Sequence, residues 1–559
     1  MRKRLLWVVA LLLVFGTVEL VVYTRIQRRY QPSPVMIGTR ISSELLKDQP
    51  PPAPVPPPAT RPPDDQPRPR TEREPVELTT PTPTVEQLRA AAKGANVIIV
   101  VLDAMRADHV GCYGYPRDTT PTLDRLARES VVFEEHFCQF PHTTASTASL
   151  FTGQYPDTHG LVFETKDEFR DSAKVLDPAG FTIEKGLEGA GYGTYLFSAN
   201  PCASPYLGVG GDFDKVDVVE KVMLPMQDPA LRESLKEARR AGVQGGMKRT
   251  TPRLLEGVGL RLKEMRGSRF LAYVHILPPH FPYQSEAPPS YLATYDGKQA
   301  PNYFQGEAAF SRVWLRTWGD AAPATGDAWV NLYDGNLRWG DNALGELLAM
   351  LDGAGALDKA LLIVTADHGE GLGEHRYEFH MTCPYDEALH IPLLIRFPGG
   401  KGPVGRISAL TETIDVLPTV MDLFQIPYPK DQVQGKSLLP LLTGQSDRLH
   451  DYVFTRTAGL YPCYVVRNHD WSLLVYKGGK MRALYDLWDD PRERYNVIAR
   501  RPEVAEALVR AFQAFAKEQL SPPLYFLDPN YKPPAVRELP KQAISDETRR
   551  QLKALGYIK

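Results

Sequence analysis

Cysteine is scarce in this chain, and no two of its cysteines form a recognisable motif. There are five in 559 residues, and none belongs to a Cys-x-x-Cys pair or to another spacing typical of metal-binding thiolates. An odd number also fits no simple disulfide framework, so cysteine usage leaves the redox compartment open. The positions are Cys112, Cys138, Cys202, Cys383 and Cys463.

A surplus of charge of either sign is missing as well. Lysine and arginine number 65 against 67 aspartates and glutamates, which leaves a net charge of −2. The two signs are interspersed, so no global field attracts nucleic acid or a strongly charged partner. We therefore expect no nucleic-acid partner. With 43% hydrophobic residues, the chain can bury one large core or several small ones.

The N-terminus, residues 1–30, has the pattern of a membrane anchor. Met1–Arg4 is basic, and Leu5–Tyr23 is apolar apart from Glu19. At about 1.5 Å per residue this apolar helix would nearly match the hydrocarbon thickness of a bilayer. A cleaved signal peptide is the alternative, but no small-x-small cleavage pattern follows. We favour an uncleaved single-pass anchor with the rest of the chain on the extracytoplasmic side.

Residues 31–93 are rich in proline, with the run Pro50–Pro58 at their centre. Such a segment cannot form a core and is typical of an extended, partly polyproline II tether. It could also serve as a ligand for a domain that recognises polyproline II. A spacer between the membrane and a folded domain is the favoured interpretation.

The folded part is predicted to be an α/β domain over residues 94–427, with a large, mainly parallel sheet sandwiched by helices. Continuous apolar runs indicate strands that are buried on both faces, and helical patterns lie between them. Strands that alternate with helices favour a parallel sheet. The predicted strands are Asn96–Leu102, Gly193–Ser198, Phe270–His275, Ala360–Ala366 and Ile391–Phe397, and the predicted helices are Pro121–Glu129, Asn342–Leu351 and Glu412–Leu423.

Two regions depart from this pattern. Val216–Lys263 is charged and helical in character and is predicted to be an insertion. Residues 428–559 are predicted to form a smaller C-terminal α+β subdomain, with short strands such as Tyr452–Thr455 and Ser472–Tyr476 and a helix at Pro502–Leu520.

Acidic and imidazole side chains follow several of the predicted strands. Ligands of open parallel sheets bind outside the carboxyl ends of the strands, so these side chains are expected at one edge. Singly, Asp103 could cap a helix and His275 could be a core histidine, but convergence of several segments favours a site. The residues are Asp103, His275, His280, Asp367, His368 and His380.

Asp103, Asp367 and His368 offer oxygen and imidazole ligands without thiolate. Such a set suits Zn²⁺ or Mn²⁺, and less well Ca²⁺, which prefers oxygen alone. A divalent ion held there could coordinate a hydroxyl and depress its pKa.

Phe140–Gly153 is predicted to be a turn that opens into a short helix. Thr143, Thr144 and Ser146 lie near its N-terminus, where free N–H groups and the helix dipole favour an anion. An ordinary Ser/Thr helix cap is the alternative. With a metal nearby, Thr143 is the natural nucleophile.

The order of motifs resembles the sulfatases, within the alkaline phosphatase superfamily. The resemblance runs from about Asn96 to the C-terminus and implies that fold. It is carried by Val101–Gly114, Thr119–Asp124, Ser149–Pro156 with His159-Gly160, Pro279–Tyr283, Thr365–Glu370, Leu372–His375, Ile391–Ile395, Asp415–Thr419, Gly435–Leu439, Leu484–Leu487 and Leu552–Tyr557.

The departures from the sulfatase pattern concern the nucleophile. Sulfatases carry Cys-x-Pro-x-Arg, whose Cys or Ser becomes formylglycine, nine residues before the Thr-Gly of the second motif. In this chain that register falls on Thr143, with Ala145 and Thr147 in place of Pro and Arg. Cys138 lies five residues too early, so no formylglycine is expected. Ala104 also replaces the usual second Asp.

At these positions the chain instead resembles the threonine-dependent phosphoethanolamine and phosphoglycerol transferases. The resemblance implies a metal set of Asp103, Thr143, Asp367 and His368. It implies that His280 and His380 bind the substrate's phosphate and take part in catalysis.

A physical argument favours phosphate over sulfate esters. A formylglycine hydrate expels sulfate by elimination at carbon, whereas a threonine ester must be displaced at its tetrahedral centre, a route familiar for phosphorus. We expect a membrane-anchored, metal-dependent hydrolase or transferase, with water or an envelope lipid or polysaccharide hydroxyl as acceptor. The alternatives are a sulfuric ester hydrolase without formylglycine and a catalytically inactive binding protein.

Overall fold

The structure, a computed structural model, describes residues 76–78, 82–162, 176–177, 179–205, 208–218, 250–281, 283–295, 327–375, 377–458, 463–476 and 480–519. The predicted anchor, residues 1–30, and residues 31–75 and 79–81 of the predicted tether lie outside these ranges. None of the helices within the described ranges combines the length and apolar character that a bilayer-spanning helix needs.

The predicted tether extends too far, because its last part belongs to the folded domain. Val76–Leu78 is a strand of the main sheet, and Val85–Ala92 is a helix whose Leu88 and Ala92 are buried in a core cluster.

Fifteen strands lie in the described ranges, and nine of them form the main sheet. The strands are β1 (Val76–Leu78), β2 (Asn96–Leu102), β3 (Val131–Phe137), β4 (Gly193–Ser198), β5 (Lys215–Val218), β6 (Phe270–Ile276), β7 (Ala360–Thr365), β8 (Gly371–Leu372), β9 (Glu378–Phe379), β10 (Leu393–Arg396), β11 (Gly405–Glu412), β12 (Val453–Arg456), β13 (Cys463–Arg467), β14 (Trp471–Tyr476) and β15 (Lys480–Asp486).

The main sheet has the order β1-β11-β3-β10-β7-β2-β6-β4-β5. β2 pairs in parallel with β6 and β7, and β4 pairs in parallel with β6 and β5. Only β10 and the edge strand β1 run antiparallel to their neighbours. The predicted mainly parallel sheet is confirmed.

Helices cover both faces of this sheet. Alternate residues of β2 divide between two hydrophobic clusters: Ile98 and Val100 join one, and Val97 and Ile99 join the other. This explains why β2 is apolar at consecutive positions. The longer helices are α1 (Val85–Ala92), α2 (Pro121–Ala127), α3 (Thr143–Thr152), α4 (Ile183–Gly189), α5 (Thr250–Met265), α6 (Asp327–Gly353), α7 (Val416–Phe424) and α8 (Pro502–Gln519).

Single-turn helices connect several of these elements. They lie at Pro156–His159, Tyr283–Glu286, Pro289–Leu292, Asp386–Leu389 and Leu439–Leu442.

The C-terminal part is a smaller α+β unit, as predicted. Strands β12 to β15 form an antiparallel sheet in chain order. Leu508 and Phe512 of α8 pack in one cluster with Tyr464 and Leu473 of the sheet.

The predicted helical insertion Val216–Lys263 is partly wrong. Lys215–Val218 is the edge strand β5 of the main sheet, and Thr250–Met265 is the regular helix α5, whose Leu254 and Val258 pack into a core cluster. Residues 219–249 lie outside the described ranges. The high charge of this stretch concealed a strand whose side chains are largely exposed.

Candidate active site

The carboxyl ends of three adjacent parallel strands bring four polar side chains together. Asp103 follows β2, Asp367 and His368 follow β7, and His275 lies near the end of β6. His275 Nε2 is 3.0 Å from Asp103 Oδ2 and 3.9 Å from Asp367 Oδ2. His368 Nε2 is 3.7 Å from Asp103 Oδ1 and 3.5 Å from Asp367 Oδ2. All four side chains are buried.

Each carboxylate uses one oxygen inside the protein and keeps the other available. Asp367 Oδ1 accepts the backbone N–H groups of Ala104 and His368 at 3.1 and 2.9 Å. Asp103 Oδ2 accepts from Asn200 Nδ2 and lies 3.0 Å from His275 Nε2. Within the described part of the chain, Asp103 Oδ1 and Asp367 Oδ2 are buried without a hydrogen-bond partner.

The tautomer of His368 leaves a nitrogen lone pair beside these two carboxylate oxygens. Its Nδ1 lies 2.8 Å from the carbonyl oxygen of Gly369, which can only accept, so Nδ1 carries the proton. Nε2 is then a lone-pair donor directed at both carboxylates. Two anionic oxygens and an imidazole nitrogen fit a divalent metal ion, and the backbone carbonyl fixes the ring as expected for a metal ligand. His275 is a further ligand within reach of both carboxylates.

The charges of the site also favour a cation. Burial, and next the negative charge of Asp103, raise the pKa of Asp367. Burial acts to raise the pKa of Asp103 too, but nearby imidazoles, of His280 first, outweigh it and hold that pKa below its usual value. Two buried carboxylates that repel each other would be stabilised by a cation between them.

Thr143 is the first residue of α3, and its hydroxyl meets the site. Thr143 Oγ1 is 3.3 Å from His368 Nε2 and 3.4 Å from Asn200 Nδ2. Its neighbours are engaged with backbone instead: Thr144 Oγ1 donates to the carbonyl of Cys202, and Ser146 Oγ donates to that of Asp367. Of the three hydroxyls singled out in the sequence, Thr143 is the one that meets the side chains of the site.

The caps of α3 fix where this hydroxyl lies. His142 caps the helix, because its Nδ1 accepts the N–H of Thr144 at 3.3 Å. Gly153 ends the helix with a left-handed φ of 65°. All ten residues between these caps are buried, so the short helix is held on every side.

His280 and His380 lie beside the carboxylate cluster. Their ring centroids are 5.0 Å apart, and His380 stacks on His368 at 4.1 Å. Burial lowers the pKa of both imidazoles. For His380, the neighbouring His368 is the next largest cause. Nδ1 of His280 donates to the carbonyl of Phe281.

Glu370 supports both histidines from behind. Its Oε1 lies 2.8 Å from His380 Nδ1, and its Oε2 accepts the N–H of Phe281 at 3.4 Å. The carboxyl is fully buried, which raises its pKa well above the usual value.

The structure therefore brings together the six site residues that the sequence suggested: Asp103, Thr143, His280, Asp367, His368 and His380. His275 was expected at a strand end but not in the metal set, and Asn200 and Glu370 were not predicted as site residues. Asn200 follows β4, so the strand-end rule that identified Asp103 would have found it.

This fold and this edge of paired carboxylates and histidines define an ester-hydrolysing enzyme of the alkaline phosphatase superfamily. The family model "Sulfatase" matches residues 95–426, and "N-sulphoglucosamine sulphohydrolase, C-terminal" matches residues 373–518. The chain belongs to the sulfatase family, as its motifs predicted. Enzymes of this family are metal-dependent.

Similar proteins carry names for both sulfate and phosphorus chemistry. The chain is 28% identical over 374 residues to an ulvan-active sulfatase of Formosa agariphila, covering 64% of this chain and 67% of that protein. It is 25% identical over 439 residues to an arylsulfatase of Clostridium perfringens, covering 72% and 90%. The phosphonate monoester hydrolase from Silicibacter pomeroyi shares the fold, with a TM-score of 0.60, 24% identity and coverage of 77% of this chain and 96% of that one.

Proposed function

We propose that this sulfatase-family enzyme acts on phosphate esters through a covalent Thr143 intermediate. The observation that carries the proposal is the position of the Thr143 hydroxyl. It lies at a helix N-terminus, 3.3 Å from His368 Nε2, in the register where a formylglycine precursor would otherwise be expected. Cys138 does not take its place, because its Sγ is directed at the carbonyl of Ala388.

The residues suited to hold a divalent ion are Asp103, Asp367 and His368, with His275 as a further ligand. When bound, such an ion polarises the ester and lowers the pKa of a coordinated hydroxyl. The N-terminus of α3 adds partial positive charge next to the substrate anion. His280 and His380 lie beside the carboxylate cluster and would hold the ester oxygens as imidazolium donors, a form that the negative charge of a bound ester favours.

The proposed reaction consists of two successive displacements at phosphorus. Thr143 Oγ forms a bond to phosphorus while the bond to the departing alcohol breaks, and the alcohol leaves with the hydroxyl's proton. Water or an acceptor alcohol next attacks the Thr143 ester, and Oγ regains a proton from the attacking group. Water makes the enzyme a hydrolase, and a glycan or lipid hydroxyl makes it a transferase.

Trapping the intermediate tests this proposal. The metal-loaded full chain is incubated with a nitrophenyl phosphodiester, quenched in acid and digested for mass spectrometry. We expect a phosphoryl adduct on Thr143 and loss of turnover in Thr143→Ala. An adduct on Thr144 or Ser146, or unchanged turnover in Thr143→Ala, would refute the assignment.

Thr152→Ala is the matched control variant. Thr152 is a threonine at the other end of the same helix, and its hydroxyl donates to the carbonyl of Ala148 at 2.7 Å. We expect this variant to keep its turnover.

A sulfate ester is the second candidate substrate, favoured by the sulfatase names of the relatives. The same trapping experiment with a nitrophenyl sulfate distinguishes the two. Turnover of the sulfate with a sulfated Thr143, and none of the phosphodiester, would replace phosphate by sulfate. A purified protein that binds no divalent ion would instead favour an inactive binding protein.

We also propose that Leu5–Tyr23 anchors the enzyme in a membrane and that its acceptors are envelope lipids or polysaccharides. The support is the basic and apolar pattern of residues 1–30 together with the proline-rich stretch behind it. Detergent-dependent extraction of the full chain, and soluble recovery of a variant without residues 1–30, are the expected results. Recovery of the full chain in the soluble fraction would contradict the anchor.

A further inference from the structure

Asn200 occupies the space between an active-site carboxylate and the Thr143 hydroxyl. Its Nδ2 lies 2.6 Å from Asp103 Oδ2 and 3.4 Å from Thr143 Oγ1. The side chain is completely buried. An amide nitrogen carries two hydrogens and accepts none, so one N–H is available for each of these oxygens.

The amide orientation is fixed by a third contact. Asn200 Oδ1 accepts the backbone N–H of Cys202 at 2.9 Å. A flipped amide would direct two donors at each other and its oxygen at the Asp103 carboxylate. The nitrogen therefore faces Asp103 and Thr143, and the amide oxygen is engaged away from the predicted metal ligands.

The loop that carries Asn200 is attached to the helix that carries Thr143. Thr144 Oγ1 donates to the carbonyl of Cys202 at 3.0 Å. Within the loop, Ser198 Oγ donates to the carbonyl of Asn200, and Ala203 N–H donates to the same oxygen. The donor and the hydroxyl thus have a fixed separation, which is the condition for electrostatic preorganisation.

We propose that Asn200 is a catalytic residue whose amide N–H stabilises the negative charge that develops on Thr143 Oγ when the covalent ester breaks. This inference rests on the proposed function, because it requires an ester on Thr143. In the ester, Oγ bears little charge. When water attacks phosphorus and the bond from phosphorus to Oγ breaks, that electron pair moves onto Oγ before a proton from the attacking water returns to it. A donor already directed at Oγ becomes stronger at that moment.

Removal of the Asn200 amide should therefore change the rates of the two displacements unequally. Without the amide N–H, cleavage of the Thr143 ester slows more than its formation, because the formation step can use the departing nitrophenolate, a good leaving group. The covalent adduct then accumulates. A residue that only supports the loop would lower turnover without raising the adduct.

Two variants separate the donor from the loop contact. Asn200→Asp has the same shape and can still accept the Cys202 N–H, and in its ionised form it has no donor. Asn200→Ala removes both. The comparison is therefore made towards the alkaline end of the enzyme's active pH range, because the adjacent Asp103 favours a protonated carboxyl. We expect both variants to lower kcat for a nitrophenyl phosphodiester by about 10²–10³-fold, the usual loss for one such donor. KM should fall with it and kcat/KM should change only a few-fold, because the second displacement is the step that slows. We also expect a larger fraction of enzyme with phosphorylated Thr143 in rapid-quench mass spectrometry.

Ser204→Ala is the matched control on the same loop. Ser204 Oγ donates to the carbonyl of Pro201, and we expect turnover and adduct levels like those of the original chain. Bound metal, measured by elemental analysis, is expected to be equal in all four proteins, because the amide oxygen of Asn200 is not a ligand. Loss of the metal in either Asn200 variant would overturn the donor role.

The outcomes also separate this inference from the proposed function. If the original chain shows the Thr143 adduct and Asn200→Asp turns over equally fast with the same adduct level, the role of Asn200 is refuted and the proposed function stands. If the original chain turns over and no Thr143 adduct forms in any of the proteins, the proposed function itself is refuted.

Discussion

Glu370 is a single residue that acts on the site through its contacts with two histidines and their loop. Its two oxygens contact His380 Nδ1 and the N–H of Phe281, the residue that accepts from His280. One buried side chain thereby restrains both histidines. We expect Glu370→Ala to lower kcat/KM by about 10–100-fold, the range seen when a supporting partner is removed from a site ligand.

Glu370→Gln is the matched variant, because it keeps the shape and an acceptor oxygen. We expect it to lose less activity than Glu370→Ala. Steady-state kinetics with a nitrophenyl phosphodiester, and thermal unfolding of both variants, measure the effect. Equal losses of activity in the two variants would show that neither the shape of Glu370 nor its hydrogen-bond acceptor is what supports the histidines.

Glu184 gives a prediction about pH and stability. It lies on α4 with 1% of its surface exposed. Burial raises its pKa to about 8. Between the usual carboxyl pKa and that value, the folded chain holds a proton that the unfolded chain has released, so stability falls as pH rises through this window and then levels off.

Glu184→Gln should remove this dependence. The variant is expected to gain stability over the original chain as pH rises from about 4.5 to 8, by up to roughly 3 kcal/mol at pH 7. Glu188→Gln, on the exposed side of the same helix, is the control. Thermal unfolding at several pH values gives the difference between variant and original chain. A constant difference across the window would contradict the prediction.

At the scale of elements, the end of α3 is a place where only glycine fits. Gly153 has a φ of 65°, and an added Cβ would lie 2.9 Å from Val433 Cγ1. Gly94 has a similar φ of 73°, with nothing within 4 Å of an added Cβ. We expect Gly94→Ala to cost about 1 kcal/mol, from backbone strain alone, and Gly153→Ala to cost about 2–3 kcal/mol, because a clash adds to the strain. Equal costs in denaturant unfolding would show that Val433 moves freely.

Elements with a simple pattern could be predicted from the sequence, and elements with mixed patterns could not. β2 was predicted with its observed bounds, because all seven of its residues are buried and the six after Asn96 are apolar. β3 and β11 were missed. β3 carries Glu134, and in the structure that carboxylate pairs with Arg406 of the neighbouring β11. A charged residue in a strand is explained only by its partner, which lies far along the chain.

The site shows the same division. The strand-end rule identified Asp103 and Asp367 because it needs only the position of a residue after an apolar run. The donor role of Asn200 depends on the N–H of Cys202 and on the turn between them, and the support from Glu370 depends on a loop closing onto Phe281. The turn at Asn200 is local, but its approach to Asp103 and Thr143, like the contact between Glu370 and Phe281, is set by tertiary packing, for which local pattern carries no signal.

At the scale of the whole molecule, the buried carboxylates connect metal binding to stability. Asp103 and Asp367 repel each other, and each has one buried oxygen without a partner in the described ranges. We expect Zn²⁺ or Mn²⁺ at 100 times its dissociation constant to stabilise the fold by about 2.7 kcal/mol, and a chelator to reverse this. Thermal unfolding with and without metal measures the effect.

Asp103→Asn combined with Asp367→Asn is the matching variant. It should be more stable than the metal-free original chain, because the repulsion is removed, and its unfolding temperature should not respond to metal. It should also be inactive. A metal response retained by the double variant would show that the ion binds elsewhere.

The place of β2 at the centre of the sheet also has a consequence for biosynthesis. Oδ1 of Asn96, at its start, accepts the N–H of Phe270 at the start of β6, 174 positions further along the chain. A ribosome that adds about 5–20 residues per second needs roughly 9–35 s to supply that partner. During this time the seven residues of β2, all buried in the folded protein, have no neighbouring strand to pair with. We expect the nascent chain to cover this strand with its own early helices or with a bound chaperone until β6 and β7 emerge.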